Sequence, residues 1–275
     1  MKKKHLLAAL LTLVTVVTAA CGSTSAKEQK TAEPTKIKVG ASVTPHSEIL
    51  NEAKKILAEE GIELEVVEIE DVVTPNTGVA EGSLDANFFQ HQPYLDDFNS
   101  ENKTNLVSIG AIHYEPFGVY SSKLKSLDEL EDGAKVAVPN NVTNEARALL
   151  LLEQEGVIKL KSDAGITATP ADIVENPKNI TFVEIDPSQL VNALPDVAVA
   201  VINGNYAIEG GLHVKEALAV EANDGLAAKT YANIVVTDEK NKDNAALKKL
   251  VEVLQSEKIQ KFIEEKYDGA VVPLS

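Results

Sequence analysis

Apolar positions recur along the chain at two periods, and their succession lays out an α/β protein. Ile37-Lys-Val-Gly-Ala41 reads as a strand, and after Pro45 the residues Ile49, Leu50, Ala53, Ile56 and Leu57 recur at helical spacing until Gly61. Leu64 and Val66 then alternate with Glu63 and Glu65, as in a strand with one face in water. Strand, helix, strand in that order predicts a parallel sheet with helices packed on it. Leu106 to Ile112, Phe117 to Tyr120, Lys135 to Pro139, Ile180 to Ile185, Val197 to Ile202 and Tyr231 to Thr237 are further β-rich runs. Helical spacing returns after Pro93 through Tyr94, Leu95 and Phe98, and again from about Asn144 to Glu155, where Arg147 falls in the first turn. Ser126 with Glu129 forms a capping-box pattern for a short helix, and Pro187 to Leu194 reads as another. Two last helical runs place Ala246, Leu247, Leu250, Val251 and Leu254 on one face and Ile259, Phe262 and Ile263 on the next. No internal repeat interrupts the series.

The N-terminus follows a different rule. Lys2, Lys3 and Lys4 precede an apolar run from Leu6 to Val17, too short to span a bilayer comfortably and better read as the hydrophobic region of a signal peptide over residues 1–20. The only cysteine, Cys21, stands where cleavage would occur, in Thr18-Ala-Ala-Cys21, which resembles the lipobox of bacterial lipoproteins with Thr18 where leucine is preferred. Lipidation (palmitate) of Cys21 is the expectation. Residues 21–35 are rich in Ser, Thr, Ala, Lys and Glu without apolar periodicity and read as a flexible tether.

At 275 residues the chain fits two compact units or one large α/β domain. Its 42 acidic against 26 basic residues, a formal charge of −16, argue against nucleic acid or an anionic lipid surface as partner. There is no HExxH, no Gly-rich phosphate loop, no GxSxG elbow and no mature cysteine free for nucleophilic work. An enzyme is therefore disfavoured, and no cofactor is expected. His46, His91 and His113 with scattered carboxylates could still converge on a metal, so a metal-uptake protein stands as an alternative of another class.

Three places suggest ligand chemistry. Asp85-Ala-Asn-Phe-Phe-Gln-His-Gln-Pro-Tyr94 concentrates two phenylalanines, a tyrosine, an imidazole and three amides in a chain otherwise poor in aromatics. That mixture suits a small-molecule pocket, or core aromatics at a strand end beside a satisfied histidine. Arg147 at a helix start sits against the helix dipole, so it calls for solvent or a bound anion such as a carboxylate. Asn203 follows an apolar strand, at the carboxyl end where ligands of open α/β sheets sit, although an asparagine there also suits a turn.

The segments DANFFQHQPYLDDF, HYEPFGVYSSKLKSLDEL, VAVPNNVTNEARALLLLE, VENPKNITFVEID and AVINGNYA occur in this order from Ile37 onward. In them the chain resembles the methionine-binding lipoproteins of ABC importers, the MetQ/NlpA family. The resemblance implies an α/β, two-lobed periplasmic-binding-protein-like fold with the ligand cleft between lobes and two crossover segments. Residues 36–116 plus 233–275 would form lobe 1 and residues 117–232 lobe 2. It also implies a lipid-anchored solute-binding protein outside the cytoplasmic membrane, which delivers methionine to an ABC permease and its ATPase. Another apolar amino acid or a methionine-containing dipeptide is the alternative cargo.

By the same resemblance Phe89 and Tyr94 wall the ligand side chain, His91 meets its polar end, Arg147 holds the α-carboxylate, and Asn203 and Asn233 bond the amino and carboxylate groups. Asn144 and Asn205 are secondary candidates. Some members of the family carry a tyrosine where this chain has Val72, which implies a wider side-chain pocket here or a preference for a different residue.

Overall fold

The computed structural model describes residues 33–222 and 226–274. The signal segment, Cys21 and most of the tether lie outside the described residues. Strand β1 (Thr35–Ala41) turns Ile37, Val39 and Ala41 inward, and α1 (Glu48–Glu59) lays Ile49, Leu50, Ala53 and Leu57 on it. The helix closes at Gly61, whose φ of 73° lies in the left-handed region that costs glycine nothing. Strand β2 (Ile62–Glu68) pairs parallel with β1, followed by helix α2 (Thr74–Glu81) and β3 (Ala86–His91), also parallel to β1. Helix α3 (Gln92–Asn102) leads into β4 (Leu106–Tyr114).

The chain then leaves this sheet and builds a second one. Strands β5 (Gly118–Tyr120) and β6 (Lys135–Pro139), helix α4 (Val142–Gln154), the short hairpin β7 (Lys159–Leu160) and β8 (Ile173–Glu175), and strand β9 (Thr181–Ile185) come first. Helix α5 (Leu190–Ala193), β10 (Val199–Ile202), helix α6 (Gly204–Glu209) and β11 (Ala219–Val220) complete it, in the order β11-β5-β10-β6-β9. After α7 (Leu226–Thr230) the chain returns as β12 (Asn233–Asp238), between β3 and β4. Helices α8 (Ala245–Leu254) and α9 (Glu257–Tyr267) back the first sheet, and β13 (Val272–Pro273) closes its edge, giving β13-β4-β12-β3-β1-β2.

Each sheet has its own apolar core. One gathers Val39, Leu50, Phe88 and Val235, and the other gathers Val136, Val138, Leu149 and Val201. The fold is therefore two-lobed, with a sheet and helices in each lobe, and the backbone passes between sheets once after β4 and once before β12.

The first sheet is mixed: β1, β2 and β3 run parallel, as the opening strand, helix, strand order predicts, while β12 enters from the other lobe and runs antiparallel to both neighbours. One expectation needs correction. Helix α4 starts at Val142, with the Asn141 side chain accepting from the Asn144 N–H at 3.2 Å as N-cap. Arg147 consequently sits in the second turn, away from the positive end of the helix.

Candidate ligand-binding site

Strand periodicity splits the aromatic stretch into two roles. Phe88 points into the core and is fully buried, whereas Phe89, on the opposite face of β3, lines a cavity between the lobes. Core and pocket readings of this stretch each hold for one phenylalanine. About 570 Å³ of space free of protein atoms lies within the cavity and its mouth, open solvent included. Phe89, His91, Tyr94, Arg147, Asn203 and Asn233 all line it, and so do Asn144 and Asn205. The structure thus brings together every ligand-site candidate singled out in the sequence.

The walls divide by character. Phe89 and Tyr94 meet edge to face at 5.9 Å between centroids, and Val72, Pro187 and Tyr206 stand nearby in the lining. The Tyr94 hydroxyl donates to the Val72 carbonyl at 2.8 Å, so the loop after β2 is tied to α3. Val72 also packs against the apolar cluster of the second lobe that contains Leu190 and Tyr206.

The polar end is built around Arg147, which is 3% exposed and lies between the rings of Phe117, 4.0 Å from its guanidinium carbon, and Tyr231, at 4.3 Å. Its Nε donates to Glu221 at 3.0 Å, and its Nη2 donates to Glu221 at 2.5 Å and to the Glu115 carbonyl at 2.9 Å. Burial works against the Glu221 carboxylate, but the adjacent guanidinium outweighs it and holds Glu221 below the ordinary carboxylate range. The Tyr114 hydroxyl, at 2.6 Å, and the Phe117 N–H, at 3.2 Å, donate to the same carboxylate. Arg147 is thus explained first by a protein acid and not by solvent or a bound anion. Among the described residues its Nη1 takes no protein acceptor, and Arg147 is among the residues that line the cavity.

The amides have defined senses. His91 is the N-cap of α3: its Nδ1 accepts from the Tyr94 N–H at 3.2 Å, which leaves Nε2 to donate to Asn144 Oδ1 at 3.0 Å. Both ring nitrogens are used within the protein, so His91 orients Asn144 and offers the cavity a ring rather than a free donor. Burial, reinforced by the charge of Arg147, lowers its pKa to about 4 and keeps it neutral. Asn203 donates its Nδ2 to the same Asn144 oxygen at 3.3 Å, while its own Oδ1 is buried without a donor. At the other side Asn233 accepts at Oδ1 from His46 Nε2 at 2.9 Å, so its Nδ2 faces away from that partner.

Sequence reasoning gave no site role to Ser42, Glu115 or Glu221. Glu115 and Ser42 line the cavity, and Glu115 belongs to the passage between lobes. Of the histidines proposed for a metal, His46 and His113 converge with Glu115, their ligand atoms within 4.8 Å of one another, while His91 does not join them. Chemically the cavity offers donors at Arg147 and Asn233, an unfilled acceptor at Asn203, and an aromatic and aliphatic end. That is the inverse of an amino-acid zwitterion with an apolar side chain.

The chain matches the family model described as NlpA lipoprotein over residues 37–275. It is 43% identical over 278 residues to the methionine-binding lipoprotein MetQ of Bacillus subtilis, covering 99% of each chain. It is 43% identical over 244 residues to the D-methionine-binding lipoprotein MetQ of Salmonella typhimurium, covering 87% of this chain and 89% of that one. A solved nutrient binding protein from Burkholderia cenocepacia, bound to methionine, superposes with a TM-score of 0.83 at 44% identity, over 87% of this chain and 100% of that one.

Proposed function

The chain belongs to the NlpA lipoprotein family, and from that premise we propose that it is a lipid-anchored solute-binding protein that captures free methionine for an ABC importer. The single observation that carries the reading is the pairing, in one interlobe cavity, of Arg147 and Asn233 donors with the unfilled Asn203 acceptor and the Phe89–Tyr94 wall. Arg147 Nη1 and Asn233 Nδ2 take the α-carboxylate, and Asn203 Oδ1 takes the α-ammonium. Phe89 and Tyr94 receive the thioether, since sulfur packs well on aromatic edges. Cys21 carries the lipid and residues 21–35 tether the folded part to the outer face of the membrane. Residues 36–116 plus 233–275 move against residues 117–232, and ligand that bridges them favours the closed state that the permease reads. No catalytic step is involved.

Mass spectrometry of ligand released by denaturing the purified protein, then titration of the emptied protein with L- and D-methionine, glycylmethionine and leucine, tests the reading. Methionine in the released fraction and tight rebinding is the expected result. Absence of binding to all four would overturn it. The convergence of His46, His113 and Glu115 favours a second reading, metal capture, for which stoichiometric zinc or manganese in the purified protein is the deciding observation.

A further inference from the structure

Asn233 opens β12 on the return from the second lobe, and its amide can present either an acceptor or two donors to the cavity. What decides between them lies behind the cavity wall. His46, just before α1, is fully buried. Its Nε2 faces Asn233 Oδ1 at 2.9 Å and Glu115 Oε1 at 3.4 Å, and its Nδ1 lies 2.6 Å from Ser42 Oγ. Two acceptors at Nε2 place the ring proton there, and the Ser42 hydroxyl, a donor as well as an acceptor, supplies the hydrogen for Nδ1. His113 holds the far side: its Nε2 lies 2.6 Å from the same Glu115 oxygen, and its ring packs 4.9 Å from that of His46. Phe88 stands edge-on to both rings, at 4.7 Å and 5.2 Å, so neither imidazole can turn without disturbing the core.

We infer that His46, oriented by Ser42 and Glu115, is a positioning residue that fixes Asn233 with its NH2 group toward the ligand and so makes this end of the site select a carboxylate. The inference rests on the amino-acid reading of the cavity but adds a residue that does not line it. Without the His46 donor, the Asn233 side chain turns over at small cost and offers Oδ1 to the ligand. A carboxylate then meets an acceptor, while an amide, which carries donors of its own, is still accommodated. The signature is a change in preference between two ligands and not a general loss of affinity.

The test titrates purified full-length wild type, His46→Leu, His46→Gln and Ser42→Ala with methionine and with methioninamide, which replaces the carboxylate by a neutral amide. His46→Leu should lower the preference for methionine over methioninamide about tenfold, the scale of one hydrogen bond to a charged group. His46→Gln, whose side-chain NH2 can reach Asn233 from a similar place, should keep the preference within about twofold of wild type. Ser42→Ala, which frees the ring tautomer, should fall between them. Equal weakening of both ligands in His46→Leu and Ser42→Ala overturns the inference and leaves methionine binding by wild type, hence the functional reading, intact. Wild type that binds neither ligand overturns the functional reading and this inference with it. One measurement needs no ligand: nitrogen-15 NMR of the His46 ring should show the proton on Nε2, and a proton on Nδ1 overturns the inference whatever the titrations give. That spectrum also serves if His46→Leu fails to fold.

Discussion

On the proposed reading the donors of Arg147 are divided between structure and ligand. Nε and Nη2 are committed to Glu221 and to the Glu115 carbonyl, and Nη1 is the nitrogen proposed to meet the ligand carboxylate. Arg147→Ala should therefore do two separable kinds of damage. Calorimetric titration should show methionine binding weakened by about 2–5 kcal/mol, the usual result of truncating one partner of a buried charged contact. Urea unfolding should show a stability loss of about 3–5 kcal/mol, because Glu221 is left buried and unpaired. Adding Glu221→Ala should restore part of the stability and none of the affinity, a double-mutant comparison that tells the two roles apart. The arginine was singled out in the sequence as a first-turn cation, a position that the helix start at Val142 moves to the second turn. Its partner was not, because Glu221 lies 74 residues away in a chain rich in acids and nothing local marks it. His91 was likewise recognised as a site residue, but its role as the N-cap of α3 and orienter of Asn144 depends on a hydrogen-bond geometry that composition does not carry.

Helices with long periodic runs, such as α1 and α8, and strands with short continuous apolar runs, such as β6 and β10, appear in the structure close to where their patterns place them. Helix α2 was missed, because Thr74–Glu81 holds no apolar stripe and opens on Thr-Pro-Asn, which reads as a turn. Strand β12 was legible as a strand but its antiparallel direction was not, since that is set by a crossover from the other lobe and not by its own residues. Helix α6 carries a prediction that follows from close approach. Gly204, the residue after Asn203, leaves no room for a side chain: a Cβ there would stand 2.8 Å from the Glu115 Cβ and 3.2 Å from the Pro116 carbonyl. Gly204→Ala should push on the backbone passage between lobes, lowering stability by about 1–3 kcal/mol and weakening methionine binding as well. Thermal melts with and without methionine read both effects. A change confined to stability would show that the passage and the site are not coupled.

Over the whole molecule the buried titratable groups set the acid limit. Burial lowers His46 to about 4, His91 to about 4 and His113 to about 3, with neighbouring charges adding to or opposing the effect. The unfolded chain takes up these protons near pH 6.5 and the folded chain resists them, so stability is retained above pH 6.5 and lost as pH falls toward 4. Glu221, held low despite its burial, adds loss of the same sign at lower pH. Glu115, raised by burial, and Glu145, raised to about 7 by burial and Glu184, run the other way and give up stability as pH rises. With three histidines on the first side, the melting temperature should drop between pH 6.5 and 4, and an unchanged value across that range would refute the assignment. Ligand adds a global effect: methionine at 100 times its Kd should raise unfolding free energy by about 2.7 kcal/mol. The same melts with leucine read out side-chain selectivity.

The clasp of Arg147 between Phe117 and Tyr231 has a consequence for redesign. Both rings and both acceptors, Glu115 and Glu221, belong to the strips of chain that carry one lobe to the other, so the anchor proposed for the ligand's acid group is riveted to the passages between lobes. Altering that anchor should retune any movement between the lobes along with the taste of the site. Phe89 and Tyr94 pair with each other, and neither takes a hydrogen bond from Arg147. A sensor for a different side chain should be engineered there, where the cargo can change while the mechanical stroke stays the same.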